Sequence, residues 1–280
     1  MPQVISASRR TDMVMHFGSW LAQSVRLGYA DVLLPYGRGT RRVSLLPKDV
    51  HTMVLWSKDF APLLHDCDGL RTALGRYDQL FCHLTITGLG STRLEPRIPP
   101  WHQVMNQVPD LLAVLQDPRR LSLRFDPIVH WHENGQIKSN LSLAQEVLSA
   151  ASKAGVATVV VSFATLYGKV LRRKGWQWHD PTPERRLEII VQLANVAQPL
   201  GITLRSCSQR DLALAGAMPS RCIDGELLSA LHPQRIPLPT CKDPGQRPEC
   251  GCTPSVDIGS YAMSCPNGCA YCYANPRLPR

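Results

Sequence analysis

The sequence predicts an α/β protein built as a full or partial β/α (TIM-like) barrel. Short β-rich runs alternate with amphipathic stretches along most of the 280 residues. Such alternation favours a mainly parallel sheet with crossover helices. Nearly every predicted strand also ends in polar or charged residues, as strands do at the mouth of a barrel, where active sites lie. The hydrophobic fraction of 44% and the charged fraction of 19% are typical of a soluble globular chain.

The predicted strands are short apolar runs, and the predicted helices have apolar residues at helical spacing. The strands are residues 4–7, 52–56, 80–87, 121–125, 157–163 and 202–206. The helices are residues 14–27, 141–154 and 182–200. Thr182 followed by Pro183 is typical of a helix start, and Gly155 of a helix end.

The composition of the sequence changes after about residue 216, where prolines, glycines and cysteines become frequent. A segment of this composition cannot bury a core alone and needs additional cross-links, which metal-bound thiolates would provide. We therefore expect one domain, with residues 1–216 as the barrel-like core. Residues 217–280 would form a cysteine-rich C-terminal segment packed on the strand ends.

The charge balance is basic, with a formal net charge of +9 made by 24 arginines and 7 lysines. Arginine binds carboxylates and phosphates through two parallel hydrogen bonds, so a small anionic substrate or a nucleic acid is a predicted partner. The alternative is that arginine merely replaces lysine on a solvated surface. The longest nearly apolar run, residues 154–164, is half of the roughly 20 residues that a bilayer requires, so no membrane partner is expected. The N-terminus lacks the order of a secretory signal, which favours the cytoplasm.

Cysteine is the most informative residue type, because eight of the ten cysteines lie between Cys207 and Cys272. In a reducing compartment this clustering favours metal ligation over disulfides. The stretch SCPNGCAYCYAN places Cys265, Cys269 and Cys272 at C-x3-C-x2-C spacing. Three such thiolates can ligate three irons of one 4Fe–4S cluster and leave the fourth iron open to a small molecule. The alternative is a four-thiolate zinc centre that shares ligands with a nearby Cys-x-Cys pair.

This spacing, with Tyr271 just before the last cysteine, resembles the signature of the radical S-adenosylmethionine (radical SAM) superfamily. The ending YCYAN is similar to that of spore photoproduct lyase-like members. The resemblance implies a 4Fe–4S cluster on the three cysteines, S-adenosylmethionine on the open iron, and Tyr271 near the adenine. It also implies a reductant such as flavodoxin or ferredoxin, and cleavage of the cofactor to a radical that abstracts hydrogen from the substrate. In that superfamily the motif normally follows the first strand, whereas here it comes last.

Over its full length the chain resembles a bacterial family of unknown function, domain-of-unknown-function family eighteen-forty-eight. The resemblance implies a C-terminal cysteine cluster likened to the radical SAM one, and it supplies no reaction. The matching stretches are ISASRRTD (5–12), RFDPIV (124–129), VSFATLYGKV (161–170), CID (222–224), KDPGQRPECGCTPSVDIGSY (242–261) and CPNGCAYCYAN (265–275).

A second metal site is predicted from the other clustered cysteines. Cys250 and Cys252 offer two thiols on one turn, and Cys207 and Cys222 are candidate partners, with Cys241 as a substitute. Together they would hold another cluster or a zinc ion. The alternative is that these thiols are buried without a metal.

Polar side chains at the predicted strand ends are candidate cofactor-binding residues. Arg9 and Arg10 would bind a carboxylate or phosphate, while Asp12 either joins them or caps a helix. An ion pair between Arg124 and Asp126 would shape the mouth of the barrel or contact S-adenosylmethionine. The set predicted from the sequence is Arg9, Arg10, Asp12, Arg124, Asp126, Ser162 and Tyr271.

The favoured function is an iron–sulfur enzyme of the radical SAM kind. One alternative is a nucleic-acid-binding protein with a structural zinc or iron–sulfur site, because Trp176 and Trp178 follow the basic residues 172–174, as in a surface that stacks bases. Another is a redox module without chemistry of its own. His130 and His132 would share one face of a strand and ligate a metal, although a solvated loop explains them better.

Overall fold

The computed structural model describes residues 2–34 and 38–278. They cluster into two compact units, each assembled from separated stretches of the chain. Unit one comprises residues 1–84, 107–122 and 221–266, and unit two comprises residues 85–106, 123–220 and 267–280. The C-terminal cysteine-rich segment therefore contributes to both units.

The strands are mostly short, as expected for an α/β protein. They are β1 (Gln3–Ala7), β2 (Tyr29–Leu33), β3 (Thr40–Ser44), β4 (Val50–Ser57), β5 (Leu80–Thr85), β6 (Leu121–Ile128), β7 (His130–Glu133), β8 (Gln136–Ser139), β9 (Thr158–Phe163), β10 (Trp178–His179), β11 (Thr203–Cys207), β12 (Met218–Ser220) and β13 (Val256–Asp257).

The helices connect these strands. The α-helices are α1 (Met13–His16), α2 (Gly18–Leu27), α3 (Ala61–Leu64), α4 (Leu70–Leu74), α5 (Trp101–Met105), α6 (Val108–Leu115), α7 (Ala144–Lys153), α8 (Gly168–Leu171), α9 (Pro183–Ala197) and α10 (Gly225–Leu231). Short 3₁₀ helices lie at Pro47–Asp49, Cys67–Gly69, Pro118–Arg120, Asn140–Leu143, Gln198–Leu200 and Arg210–Ala215. Among the described helices, none combines the length and the apolar character that a membrane crossing needs.

Unit one contains four parallel strands in the order β5-β4-β1-β13. Ile5 of β1 pairs with Met53 of β4 on one side and with Val256 of β13 on the other. Ile5 and Met53 are fully buried, as is most of β4. A parallel strand covered on both faces carries a near-continuous apolar run, which explains why β4 was recognisable in the sequence.

Unit two contains four parallel strands in the order β6-β9-β11-β12. Val159 on β9 pairs with Leu123 on β6 and with Leu204 on β11, and all three side chains are buried. A small antiparallel sheet in the order β10-β7-β8 accompanies them. The predicted α/β class with parallel strands is therefore confirmed in the described residues.

The predicted helices are present but are subdivided. The helix expected over residues 14–27 is broken at Phe17, whose backbone (φ −129°, ψ 25°) leaves the helical region between α1 and α2. The helix expected over residues 141–154 begins as a 3₁₀ turn before α7. Thr182 caps α9 by accepting a hydrogen bond from Arg185 N at 3.3 Å, so the predicted start of that helix is confirmed.

The solvated-loop interpretation of His130 and His132 is wrong, because both lie on β7, which pairs with β8 across a tight turn. The turn residues Asn134 and Gly135 have positive φ values of 52° and 73°. Asn-Gly is a strong hairpin signal, because both positions of a type I′ turn need the left-handed region. This hairpin could therefore have been predicted from the sequence.

Candidate functional site

The last two cysteines of the tail motif lie on a tight, buried loop of unit two. We call residues 265–275 the tail loop, of which residues 267–275 belong to unit two. Cys272 N donates to Cys269 O at 3.1 Å, and Ala270 N donates to Leu94 O at 2.9 Å. Cys269 is 5% exposed and Cys272 is half-buried. Gly268 has a φ of 69°, the left-handed conformation that glycine adopts without strain, which allows the chain to turn between the cysteines.

Arg173, which follows α8 in the chain, forms hydrogen bonds to the main chain of this loop. Its guanidinium donates to the carbonyl oxygens of Cys269 at 3.5 Å and Cys272 at 2.5 Å, and also to that of Ala270. Burial lowers the pKa of Arg173, whereas the nearby thiols of Cys272 and Cys269 act in the opposite direction. Ala274 N also donates to Cys272 Sγ at 3.4 Å. A cation and a backbone N–H beside these sulfurs favour the thiolate form, which is the form that ligates metals.

Tyr271 anchors the tail loop in the interior of unit two. It is 6% exposed, and its hydroxyl donates to Glu95, whose carboxylate also accepts from Thr87 Oγ1 at 2.6 Å. Burial, reinforced by the negative charge of Glu95, raises the pKa of Tyr271. The placement of Tyr271 near an adenine stays a prediction. Neither Glu95 nor Arg173 was recognisable as a partner of this loop, because both are distant from it in sequence.

Arg124 and Asp126 of β6 and Ser162 of β9 form one hydrogen-bonded group. The carboxylate of Asp126 accepts from the Arg124 guanidinium through one oxygen and from the Ser162 hydroxyl through the other. Arg124 is 7% exposed. The ion pair expected from the sequence is therefore present, and Ser162 adds a donor to it.

Arg9 and Arg10 lie near a carboxylate that the sequence did not single out, that of Asp257 on β13, which binds the main-chain nitrogen of Arg9. Asp257 accepts from Ser8 Oγ at 2.6 Å and from the main-chain nitrogens of Arg9 and Gly259, both at 2.9 Å. The Arg10 guanidinium donates to Gly259 O at 2.7 Å. Parallel pairing of β13 with β1 brings residues about 250 positions apart to one strand end.

Asp12 is the N-cap of α1. It is 7% exposed and accepts from Met15 N at 3.0 Å, from Ser57 Oγ at 2.7 Å and from Lys58 N at 3.0 Å. Burial raises the pKa of Asp12, while these hydrogen bonds lower it. The capping alternative considered for Asp12 is present in the structure.

Three further cysteines come together in unit one, and we call Cys222, Cys250 and Cys252 the thiol trio. Their side chains are 8%, 7% and 1% exposed. The thiols of Cys222 and Cys250 lie close enough to that of Cys252 to shift its pKa. These neighbours and burial raise the pKa of Cys252, whereas the nearby Cys252 lowers the pKa of Cys250 to about 6.

The other predicted metal ligands have different surroundings. Cys207 ends β11 in unit two, where its sulfur lies 3.7 Å from Ser208 Oγ, and Cys241 is exposed. Cys265 is 7% exposed. None of the ten cysteines forms a disulfide. Within residues 2–34 and 38–278, no three His, Cys, Asp or Glu side chains are already arranged to hold a metal ion.

Parallel strands with polar ends, connected by helices and followed by a cysteine-rich C-terminal segment, define a cysteine-rich α/β protein. The chain belongs to the family described as Domain of unknown function (DUF1848), whose model matches residues 4–274. The family resemblance of the sequence is thereby confirmed. Comparison with curated proteins gives no match.

Proposed function

We propose that this protein is an iron–sulfur enzyme of the radical SAM kind, with Cys265, Cys269 and Cys272 as ligands of a 4Fe–4S cluster. The observation that carries the proposal is the surroundings of the last two cysteines. Both lie beside the Arg173 guanidinium, and the sulfur of Cys272 accepts a main-chain hydrogen bond. Sulfur donors at this spacing, in surroundings that favour thiolates, fit the ligand set of such a cluster.

When bound, the cluster would supply the electron that cleaves S-adenosylmethionine. The chain itself would hold and orient the reactants. Arg173 would hold the main-chain carbonyl groups of the tail loop. Tyr271 would hold the loop in place through its hydrogen bond to Glu95. The polar strand ends of a partial barrel, which is the fold implied by the superfamily, would bind the cofactor and an anionic substrate. An external reductant, flavodoxin or ferredoxin in kind, would complete the system.

The test is anaerobic purification of the full chain, followed by measurement of iron, sulfide and zinc. The reduced protein is then incubated with S-adenosylmethionine, and 5′-deoxyadenosine is measured. We expect iron, sulfide and product in the wild type. In Cys269→Ser, iron and product should be lost, whereas the matched control Cys241→Ser, at an exposed cysteine, should retain both. Iron without product would favour the redox module, and zinc alone would overturn both iron–sulfur interpretations.

Nucleic-acid binding is the second candidate, and the indole pair of unit two favours it. The rings of Trp176 and Trp178 stack with centroids 5.4 Å apart, and the Arg93 guanidinium lies 5.2 Å from the Trp176 ring. Arg172 and Lys174 are exposed beside them. Base stacking with adjacent cations is how single strands are bound without sequence preference.

A labelled single-stranded oligonucleotide tests this second function. We expect binding that weakens steeply between low and physiological salt, and that is reduced in Trp176→Ala. Binding that is absent at low salt would exclude this candidate and leave the first unaffected.

A further inference from the structure

The thiol trio is assembled by main-chain hydrogen bonds. Thr253 N donates to Ile223 O at 2.9 Å, and Asp243 N donates to Cys252 O at 2.8 Å. Cys222 lies two residues before Asp224, the N-cap of α10. The backbone therefore brings together cysteines that are about thirty residues apart in sequence, on a segment too rich in proline and glycine to form a core of its own.

The surroundings of Cys252 Sγ are those of a sulfur that accepts hydrogen bonds. Ile223 N donates to it at 3.4 Å, and the other two thiols lie close to it. Neutral thiols are weak donors and weak acceptors, so burying three of them close together gains little by itself. Main-chain N–H groups directed at sulfur are more useful to a thiolate, because they stabilise its negative charge.

Arg9 supplies a positive charge close to the thiol trio. Its Nη2 is buried without a hydrogen-bond partner among the described residues, and Nη1 lies 3.5 Å from Ser255 Oγ. The guanidinium packs over the Trp56 ring at 5.2 Å. Its charge acts electrostatically on both Cys250 and Cys252. A buried guanidinium nitrogen without a partner is costly unless negative charge lies nearby.

We propose that Cys222, Cys250 and Cys252 bind one soft divalent cation of the zinc type as thiolates, independently of the tail loop. Three thiolates and one divalent cation have a net charge of −1, which Arg9 would offset. The fourth position of a tetrahedral ion would then be open to water or to a ligand from outside.

One cation suits this geometry better than a second cluster. Ligands of a cluster bond to different iron atoms, whereas the thiols of Cys222 and Cys250 both lie close to the single thiol of Cys252. Around a single zinc ion with Zn–S bonds of about 2.3 Å, two sulfurs lie about 3.8 Å apart. Because the described residues hold no ready-made metal site, binding must release the thiol protons and rotate at least one side chain.

The experiment uses the full chain with Cys265, Cys269 and Cys272 all replaced by serine, so that the tail loop cannot contribute. Co²⁺ is titrated under anaerobic conditions, and thiolate-to-cobalt charge-transfer absorption is recorded. We expect saturation at one equivalent, and displacement of Co²⁺ by Zn²⁺. The failure of the iron–sulfur proposal would not change this result, because its ligands are already removed.

Two further variants in this background assign the ligands. Cys250→Ser should weaken Co²⁺ binding by at least about tenfold and reduce the charge-transfer absorption, whereas Cys67→Ser, at an exposed cysteine outside the predicted metal sites, should change neither. Arg9→Gln keeps all three thiols and should weaken Co²⁺ binding by about tenfold. This variant therefore tests the proposal even if Cys250→Ser unfolds. Absent charge-transfer absorption, unchanged binding in Cys250→Ser, or a disulfide within the thiol trio of the anaerobic protein would overturn the proposal.

Discussion

The tail loop and the thiol trio each contain three cysteines, but the fold holds them by different means. In the tail loop, side chains hold the main chain, because Arg173 donates to carbonyl oxygens and Tyr271 reaches Glu95. In the thiol trio, main-chain hydrogen bonds hold two segments together and bring Cys222 and Cys250 close to Cys252. Cysteines that are neighbours in sequence need their loop to be fixed. Cysteines that are distant need the fold to bring them together.

The largest expected effect comes from removing the cation that holds the tail loop. Arg173→Ala removes charged hydrogen bonds to the carbonyl oxygens of Cys269, Ala270 and Cys272. We expect a loss of about 3 kcal/mol or more in the free energy of unfolding. Alkylation of Cys269 and Cys272 should become faster, while alkylation of the thiol trio should not. Denaturant unfolding and mass-spectrometric mapping measure both quantities.

Arg172→Ala is the matched control for this prediction, because Arg172 is exposed on the same turn. Equal acceleration at Cys250 and Cys269 in Arg173→Ala would show that the two cysteine regions are not held separately.

Removing the carboxylate of Asp257 should affect the thiol trio rather than the tail loop. Asp257→Ala leaves Ser8 Oγ and the main-chain nitrogens of Arg9 and Gly259 without their acceptor. We expect a loss of about 2–3 kcal/mol in the free energy of unfolding, because these donors are partly buried. Alkylation should accelerate at the thiol trio, which precedes β13 in the same unit.

Asp257→Asn keeps one acceptor oxygen and should recover part of this stability. If alkylation of the tail loop accelerated as much as that of the thiol trio, the assignment of Asp257 to the trio's surroundings would be wrong.

A smaller effect is expected from the hydroxyl of Tyr271. Tyr271→Phe keeps the ring but removes one hydrogen-bond donor from the buried Glu95 carboxylate. We expect a loss of about 1–2 kcal/mol in the free energy of unfolding. Tyr273→Phe, at a side chain that is 45% exposed, should change stability far less. Thermal or denaturant unfolding of the two variants decides the question, and equal losses would contradict the anchoring role.

The smallest expected effect is a dependence on pH that arises in unit two, where Cys269 and Cys272 lie. Burial, with the neighbouring His179, lowers the pKa of His130 from 6.5 to about 4. Above pH 6.5 the group is neutral in both states. As the pH falls from 6.5 toward 4, the unfolded chain binds a proton that the folded protein excludes, so stability falls.

Charged groups around His130 modify the size of this effect. Asp180 favours the protonated form, while Arg185 and Arg186 oppose it. We expect about 1 kcal/mol between about pH 7.5 and pH 5, after allowance for solvent screening. His130→Phe should remove this part of the pH dependence of urea unfolding. A variant whose pH dependence equals that of the wild type would contradict the lowered pKa.

Composition and periodicity determined the α/β class and the strands that became β1, β4, β5, β6, β9 and β11. Most residues of β1, β4, β5 and β9 are buried, so their apolar runs were clear, whereas β6 and β11 are buried only in part. The three neighbouring cysteines of the tail loop were also visible, because their spacing is local. The antiparallel pairing of β2 with β3 was not predicted, because β3 exposes four of its five residues and carries little apolar signal.

Only the tertiary structure decided which distant groups meet. It paired β13 with β1 and so placed Asp257 beside Ser8, and it selected Cys222 from several cysteines as the neighbour of Cys252. It also identified Arg173 and Glu95 as partners of the tail loop. Local patterns report burial and turn geometry, which depend on near neighbours. Contacts between residues far apart in sequence depend on strand order and register, which no single stretch of sequence specifies.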